Sequence, residues 1–156
     1  PRALPPMASL RHCFRDLDNI TDQVRELLDQ WNARTRIGDS IGIETLELLK
    51  VAVHEWIANL VQHANFNGQP PQVTVTATPN GRRVECTIED NSVGFDLDAQ
   101  LANCAEILES YPERGMGLLM LQACTEELQY ASVGEHRQRL HFYIPADQDP
   151  WLKIPF

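Results

Sequence analysis

The chain has 156 residues, 43% hydrophobic and 22% charged, which fits one soluble globular domain with a sizeable core. Its formal net charge is −9 and its only lysines are Lys50 and Lys153, so it lacks the basic footprint of nonspecific nucleic-acid binding or of docking on an anionic membrane. No apolar run approaches the roughly 18 residues of a membrane span and no signal-like segment is visible, so cytoplasmic residence is the default expectation. The cysteines, Cys13, Cys86, Cys104 and Cys124, form no Cys-x-x-Cys pair, which argues against a zinc ribbon or a thioredoxin motif. Cys13, Cys86 and Cys124 fall in apolar patterns and read as small core residues.

Residues 1–8 open Pro1-Arg2-Ala3-Leu4-Pro5-Pro6 without an initiator methionine and read as a linker, so the domain reads as cut from a longer protein. The domain itself is expected over 9–144, with an irregular tail over 145–156. Leu10 to Leu17 fits a first strand. Asp18 or Thr21 is placed to cap a helix running to about Trp31, with Ile20, Val24, Leu27 and Leu28 on its apolar side. Gly38 and Gly42 punctuate a loop.

The longest helical pattern then runs from about Ile43 to Asn65. Leu46, Leu49, Val53, Trp56, Leu60 and Ala64 recur at the three-and-four spacing of one buried stripe. Glu55 and Asn59 stand one turn apart on a single face. Asn67-Gly68-Gln69-Pro70-Pro71 ends the helix, because proline cannot continue it.

Val73, Val75 and Ala77 alternate with threonines as a strand does, and Asn80-Gly81 reads as a two-residue hairpin turn. Val84, Cys86 and Ile88 alternate on the return strand. Asn91 to Glu113 reads as irregular, with helical character around 99–108, and a third helix is expected from about Gly115 to Glu126. Two last strands, Glu127 to Val133 and His136 to Ile144, meet near Gly134. Helices do not alternate strictly with strands. The order predicts an α/β (α+β) two-layer sandwich, with a mixed, mostly antiparallel sheet and helices packed on one face.

Three segments carry chemistry. Glu55 and Asn59 place a carboxylate and an amide oxygen where they can hold a hard cation or a water on it. Asp90 leaves the end of a buried strand as an acceptor for an amino group, and Gly94 permits close approach of a flat ligand. Glu113-Arg114-Gly115-Met116-Gly117-Leu118 opens a helix, whose free N–H groups and dipole attract phosphate. Taken singly, these also fit a solvated helix face, an Asp-Asn turn and a glycine-bearing loop. No Walker-type phosphate loop is present. His54-Glu55 suggests a zinc hydrolase, but the histidine that motif needs at 58 is Ala58, and His63 lies on another side of the helix from His54.

The order Glu-x-x-x-Asn, Asp-Asn-x-x-Gly-Phe-Asp, Arg-Gly-Met-Gly-Leu resembles the GHKL (Bergerat-fold, HATPase) ATP-binding superfamily. Val53-His54-Glu55-Trp56-Ile57-Ala58-Asn59-Leu60-Val61-Gln62-His63-Ala64 is most similar to the corresponding helix of bacterial anti-sigma-factor serine/threonine-protein kinases. The resemblance covers roughly residues 9 to 144. It implies ATP and Mg²⁺ as cofactors, with Asn59 on the metal and Glu55 as the general base that polarises a protein serine or a water. It implies that Asp90 reads the adenine amino group, that Gly94 admits the base, and that Arg114, Gly115, Met116, Gly117 and Leu118 form the hinge and phosphate cradle. His63 is expected near the nucleotide pocket or the helix end, and Phe95 to Glu113 is expected as the ATP lid. A sigma factor, a small antagonist (anti-anti-sigma) protein and a second copy of the chain are the implied partners.

Two positions depart from the family pattern: Ser92 replaces the first glycine after Asp90, and the last strand carries no Gly-Thr. Two other functions keep the same fold: a non-catalytic ATP-binding regulatory module, and the ATP-binding domain of a two-component histidine kinase.

Overall fold

The apolar stripe that begins at Leu46 builds the central helix of the protein. A computed structural model describes residues 9–110 and 116–146. The elements in chain order are β1 (Leu10–Phe14), α1 (Ile20–Thr35), α2 (Ile37–Ile41), α3 (Ile43–His63), β2 (Val73–Asn80) and β3 (Arg83–Asp90). They continue with α4 (Leu97–Ser110), α5 (Met116–Cys124), β4 (Glu126–Gly134) and β5 (Arg137–Ile144). The strands form one open sheet in the order β1-β2-β3-β5-β4, and every pairing among the described strands is antiparallel.

Strand alternation decides which side of the sheet meets the helices. Val73, Val75 and Ala77 of β2, Val84, Cys86 and Ile88 of β3, and Leu140, Phe142 and Ile144 of β5 are buried together with Trp31, Leu49, Val53, Trp56 and Leu60. Removing each such side chain from water stabilises the fold by about 1.5–3 kcal/mol. Burial pushes the Cys86 thiol well above its ordinary range, and Cys86 acts as packing. The intervening residues of the same strands are polar and face away, so the architecture is a two-layer sandwich with one open sheet face. No described helix is long and apolar enough to cross a membrane.

Several sequence expectations shift. The first strand stops at Phe14, and α1 begins at Ile20 with Asn19 left-handed (φ 53°) and without a side-chain cap, so neither Asp18 nor Thr21 caps it. Helix α1 continues past Trp31 to Thr35, whose hydroxyl donates to Trp31 O at 2.6 Å. The expected loop around Gly38 contains α2, held by the Asn32 side chain, which accepts from Gly38 N at 2.8 Å. Helix α3 stops at His63, because Ala64 is already extended. The first hairpin turns on Gly81 and Arg82, with Asn80 paired to Arg83 and Gly81 supplying the positive φ of 66°. A full helix, α4, occupies much of the segment read as irregular, and the Asp96 carboxylate caps it by accepting from Ala99 N at 3.1 Å. Helix α5 ends at Cys124, with β4 starting at Glu126.

Candidate functional site

The site lies along α3. Its Glu55 approaches α5 so closely that a Cβ on Gly117 would stand 2.7 Å from Glu55 Oε2. A side chain there would push the carboxylate aside, so the second glycine motif is pressed against the acid of the helix motif. On another side Glu55 borders a cleft of about 300 Å³ between α1 and α3, whose lining includes Thr21, Arg25, Asp29 and Lys50. One turn on, Asn59 is 7% exposed and its Nδ2 has no hydrogen-bond partner among the described residues. A buried N–H donor left unpaired is rare and points to an acceptor atom on a ligand. The oxygens of Asn59 and Glu55 are hard donors of the type a magnesium ion takes, so this pair fits the implied metal.

The Asp90 loop joins α3 at two points. Val93 N donates to Asn65 O at 2.9 Å, just past the helix end. Trp56 and Phe95 follow Glu55 and Gly94 respectively, and their rings meet with centroids 5.5 Å apart. Tyr130 of β4 stacks on Phe95 at 5.2 Å and meets Trp56 edge-on at 5.2 Å, completing an aromatic floor.

Asp90 faces the helix layer from the last position of β3. It is 4% exposed; Oδ1 accepts from Ser92 N at 2.8 Å, and Oδ2 has no partner among the described residues. Burial raises its carboxyl above the ordinary value of 3.8, against the opposing hydrogen bonds of Ser92. The Tyr130 hydroxyl is pushed up to about 12, first by burial and then by the Asp90 charge. Ser92 is fully buried and is not among the residues with positive φ. Its Cβ therefore carries no left-handed strain, and its hydroxyl accepts from Gly94 N at 3.2 Å. Gly94 alone in this loop takes positive φ, at 82°.

The sequence positions thus distribute unevenly. Glu55 and Gly117 are in contact distance, and Asp90 and Gly94 are linked through Ser92. Leu118 is buried in α5, and Met116 is its first residue. His63 is exposed as the last residue of α3. Arg114 and Gly115 lie outside the described residues. Gln138 was not singled out from the sequence, yet it is buried in β5 directly across from Asp90. The inward alternation Leu140, Phe142, Ile144, extended one step back, points to it.

Residues 16–143 match the family model described as "Histidine kinase-like ATPase domain". Among curated proteins, the chain is similar to serine-protein kinase RsbW of Bacillus cereus strain B4264, 26% identical over 91 residues, 55% of this chain and 56% of the relative. RsbW of Bacillus anthracis and that of Bacillus thuringiensis strain Al Hakam are 25% identical over 91 residues, with the same coverage of 55% and 56%. The chain thus spans little more than half the length of these curated relatives.

Proposed function

The chain belongs to the histidine kinase-like ATPase domain family, and on that premise we propose that it binds ATP with Mg²⁺ and transfers the γ-phosphoryl group to a serine of a small antagonist protein, thereby regulating a sigma factor. The observation that carries this reading is the contact between Glu55 and Gly117, which sets a carboxylate against the start of α5. Phosphoryl transfer needs positioning and charge neutralisation more than covalent help from the protein. Asn59 would hold the metal, which when bound offsets phosphate charge. Glu55 would accept the proton of the acceptor hydroxyl, and the cleft between α1 and α3 gives that hydroxyl a way in. Asp90 would accept a hydrogen bond from the adenine amino group through Oδ2, the atom that has no partner among the described residues. Backbone N–H groups at the start of α5 would take the role that a lysine takes in other phosphate sites. The similarity to serine-protein kinases supports the choice of a serine acceptor.

The test is labelled ATP–Mg²⁺ with candidate antagonist proteins, read as phosphate transfer, beside calorimetric nucleotide binding. Glu55→Ala is expected to abolish transfer while nucleotide affinity stays within about threefold, since a lost base removes transition-state help rather than ground-state binding. Nucleotide binding with no transfer by the wild type to any antagonist would reject the kinase reading and leave a binding module.

A further inference from the structure

Gly94 was expected to admit a flat ligand, and the flat group it meets belongs to the chain itself. A Cβ on Gly94 would lie 2.8 Å from Cδ and Oε1 of Gln138 and 3.2 Å from its Nε2. The carboxamide therefore lies directly against the face of this glycine. It is fastened there from two sides: Nε2 donates to Ser92 O at 3.1 Å, and Ser132 Oγ donates to Oε1 at 2.8 Å. Gln138 is 3% exposed and sits opposite Asp90 in the β3–β5 register. Cross-strand neighbours on one face have Cβ atoms about 4.5–5.5 Å apart, so Gln138 stands beside Asp90 while its carboxamide covers Gly94.

Asp90 presents a contradiction that this cover resolves. Its Oδ2 is the unpaired acceptor that a ligand amino group would seek, yet the residue is 4% exposed. An amino group reaches Oδ2 only if a neighbour moves. Ser92 is fixed by its backbone, with N–H on Asp90 and carbonyl on Gln138, and Tyr130, whose hydroxyl feels the Asp90 charge, is held by its ring contacts with Phe95 and Trp56. Gln138 is a long side chain on a strand, able to swing by rotation about its own bonds.

We propose that Gln138 is a resident plug of the base end of the nucleotide site. Its carboxamide occupies the place on Gly94 that a planar base takes, and an entering nucleotide releases it from Ser92 and Ser132. The residue sets the affinity and the entry rate of the nucleotide without touching the phosphoryl group. The inference rests on the nucleotide-binding reading given above.

The experiment compares wild type, Gln138→Ala and Ser132→Ala, with ADP and ATP plus Mg²⁺ as probes. Calorimetry gives affinity, stopped-flow gives association kinetics, and thermal melts report folding. Gln138→Ala is expected to tighten nucleotide binding about 3- to 30-fold, the scale of one or two neutral hydrogen bonds. Ser132→Ala removes one of the two fastenings from an exposed strand position and is expected to tighten binding about 2- to 5-fold. The wild-type association rate should level off at high nucleotide, because plug opening limits it, and that plateau should rise or vanish in both variants. A purely structural glutamine would not move the plateau. Weaker or equal binding in Gln138→Ala, with an unchanged plateau, overturns the plug. Should Gln138→Ala fail to melt cooperatively, equal affinity and an equal plateau in Ser132→Ala overturn it. Equal binding by all three proteins rejects the plug alone, whereas no binding by any of them rejects the nucleotide reading and the plug with it.

Discussion

The two faces of the sheet treat their charged residues in opposite ways, although the same strands build both. On the open face, acids are paired and wet: Glu85 lies 2.7 Å from His141 Nε2, Glu89 meets Arg137 at 3.1 Å and Arg139 at 3.5 Å, and Glu127 meets Arg83 at 3.1 Å. On the helix face, Asp90 and Asn59 are buried with Oδ2 and Nδ2 unpaired. The acidity shifts follow suit. A hydrogen bond with His141 lowers Glu85, while burial raises Asp90, at the two ends of one strand. A group that serves stability is satisfied inside the fold. A group left unsatisfied at a cost to stability points to a ligand that is to satisfy it.

The sharpest way to break this contrast is Asp90→Asn. Nucleotide affinity is expected to fall about 10- to 100-fold, the worth of a hydrogen bond to a charged group. Stability at neutral pH is expected to rise, because a carboxylate held in a dry place opposes folding when charged. With its folded pKa raised, Asp90 contributes stability that is fully present below its ordinary value of 3.8 and is lost as pH rises through the folded value. Thermal melts from pH 3 to 8 should therefore show a loss of wild-type stability above that window that Asp90→Asn lacks. A variant that binds nucleotide like wild type, or melts lower at pH 7, would place Asp90 among the structural acids instead.

Gly117→Ala probes the other end of the site, with an effect of similar size read in transfer and a smaller one on stability. Alanine favours the helix by up to about 1 kcal/mol, so the melting temperature should hold or rise slightly. The new Cβ would stand 2.7 Å from Glu55 Oε2, and the flexible carboxylate must yield. A displacement near 1 Å costs catalysis up to about 100-fold, and phosphate transfer is expected to drop about 10- to 100-fold. Unchanged transfer beside an unchanged melt would show that the placement of Glu55 against α5 is incidental.

The sequence made some of this legible and hid the rest for physical reasons. Helix α3 was readable because its stripe from Leu46 to Leu60 is periodic and local, and the alternating strands β2, β3 and β5 were readable likewise. Helix α2 was hidden because much of its support is tertiary: Ile37 and Ile41 are buried in the common core, and no side-chain cap announces its start. The hairpin turn slid by one residue because strand register, not the Asn-Gly pair, fixes the loop at Gly81 and Arg82. Ser92 departs from the family's glycine, yet the backbone at that position has no positive φ, so the serine carries no left-handed strain. Gln138 was hidden most deeply. Its meaning depends on lying across from Asp90, and the two are separated by β4 and two helices in the chain. Arg114 and Gly115, legible as a motif, lie outside the described residues.

The smallest effect is expected on the open face, and it sharpens the contrast by its size. Glu85 accepts from Tyr143 at 3.3 Å besides meeting His141, and Arg83 lies over the Tyr143 ring at 4.1 Å, so the cluster is extensive but only half-buried and still reached by water. Pairs screened by water in this way stabilise by about 0–1 kcal/mol. Because the folded pKa of Glu85 is lowered from 4.5, chiefly by the His141 hydrogen bond, its contribution is present above 4.5 and is lost as pH falls through the folded value. Glu85→Gln should therefore lower stability by at most about 1 kcal/mol at pH 7, by less at pH 3, and leave nucleotide affinity within about twofold. Melts at the two pH values and one binding titration suffice. A large loss of nucleotide affinity would mean that the open face is coupled to the site through β3, and the division between a structural face and a functional face of the sheet would no longer stand.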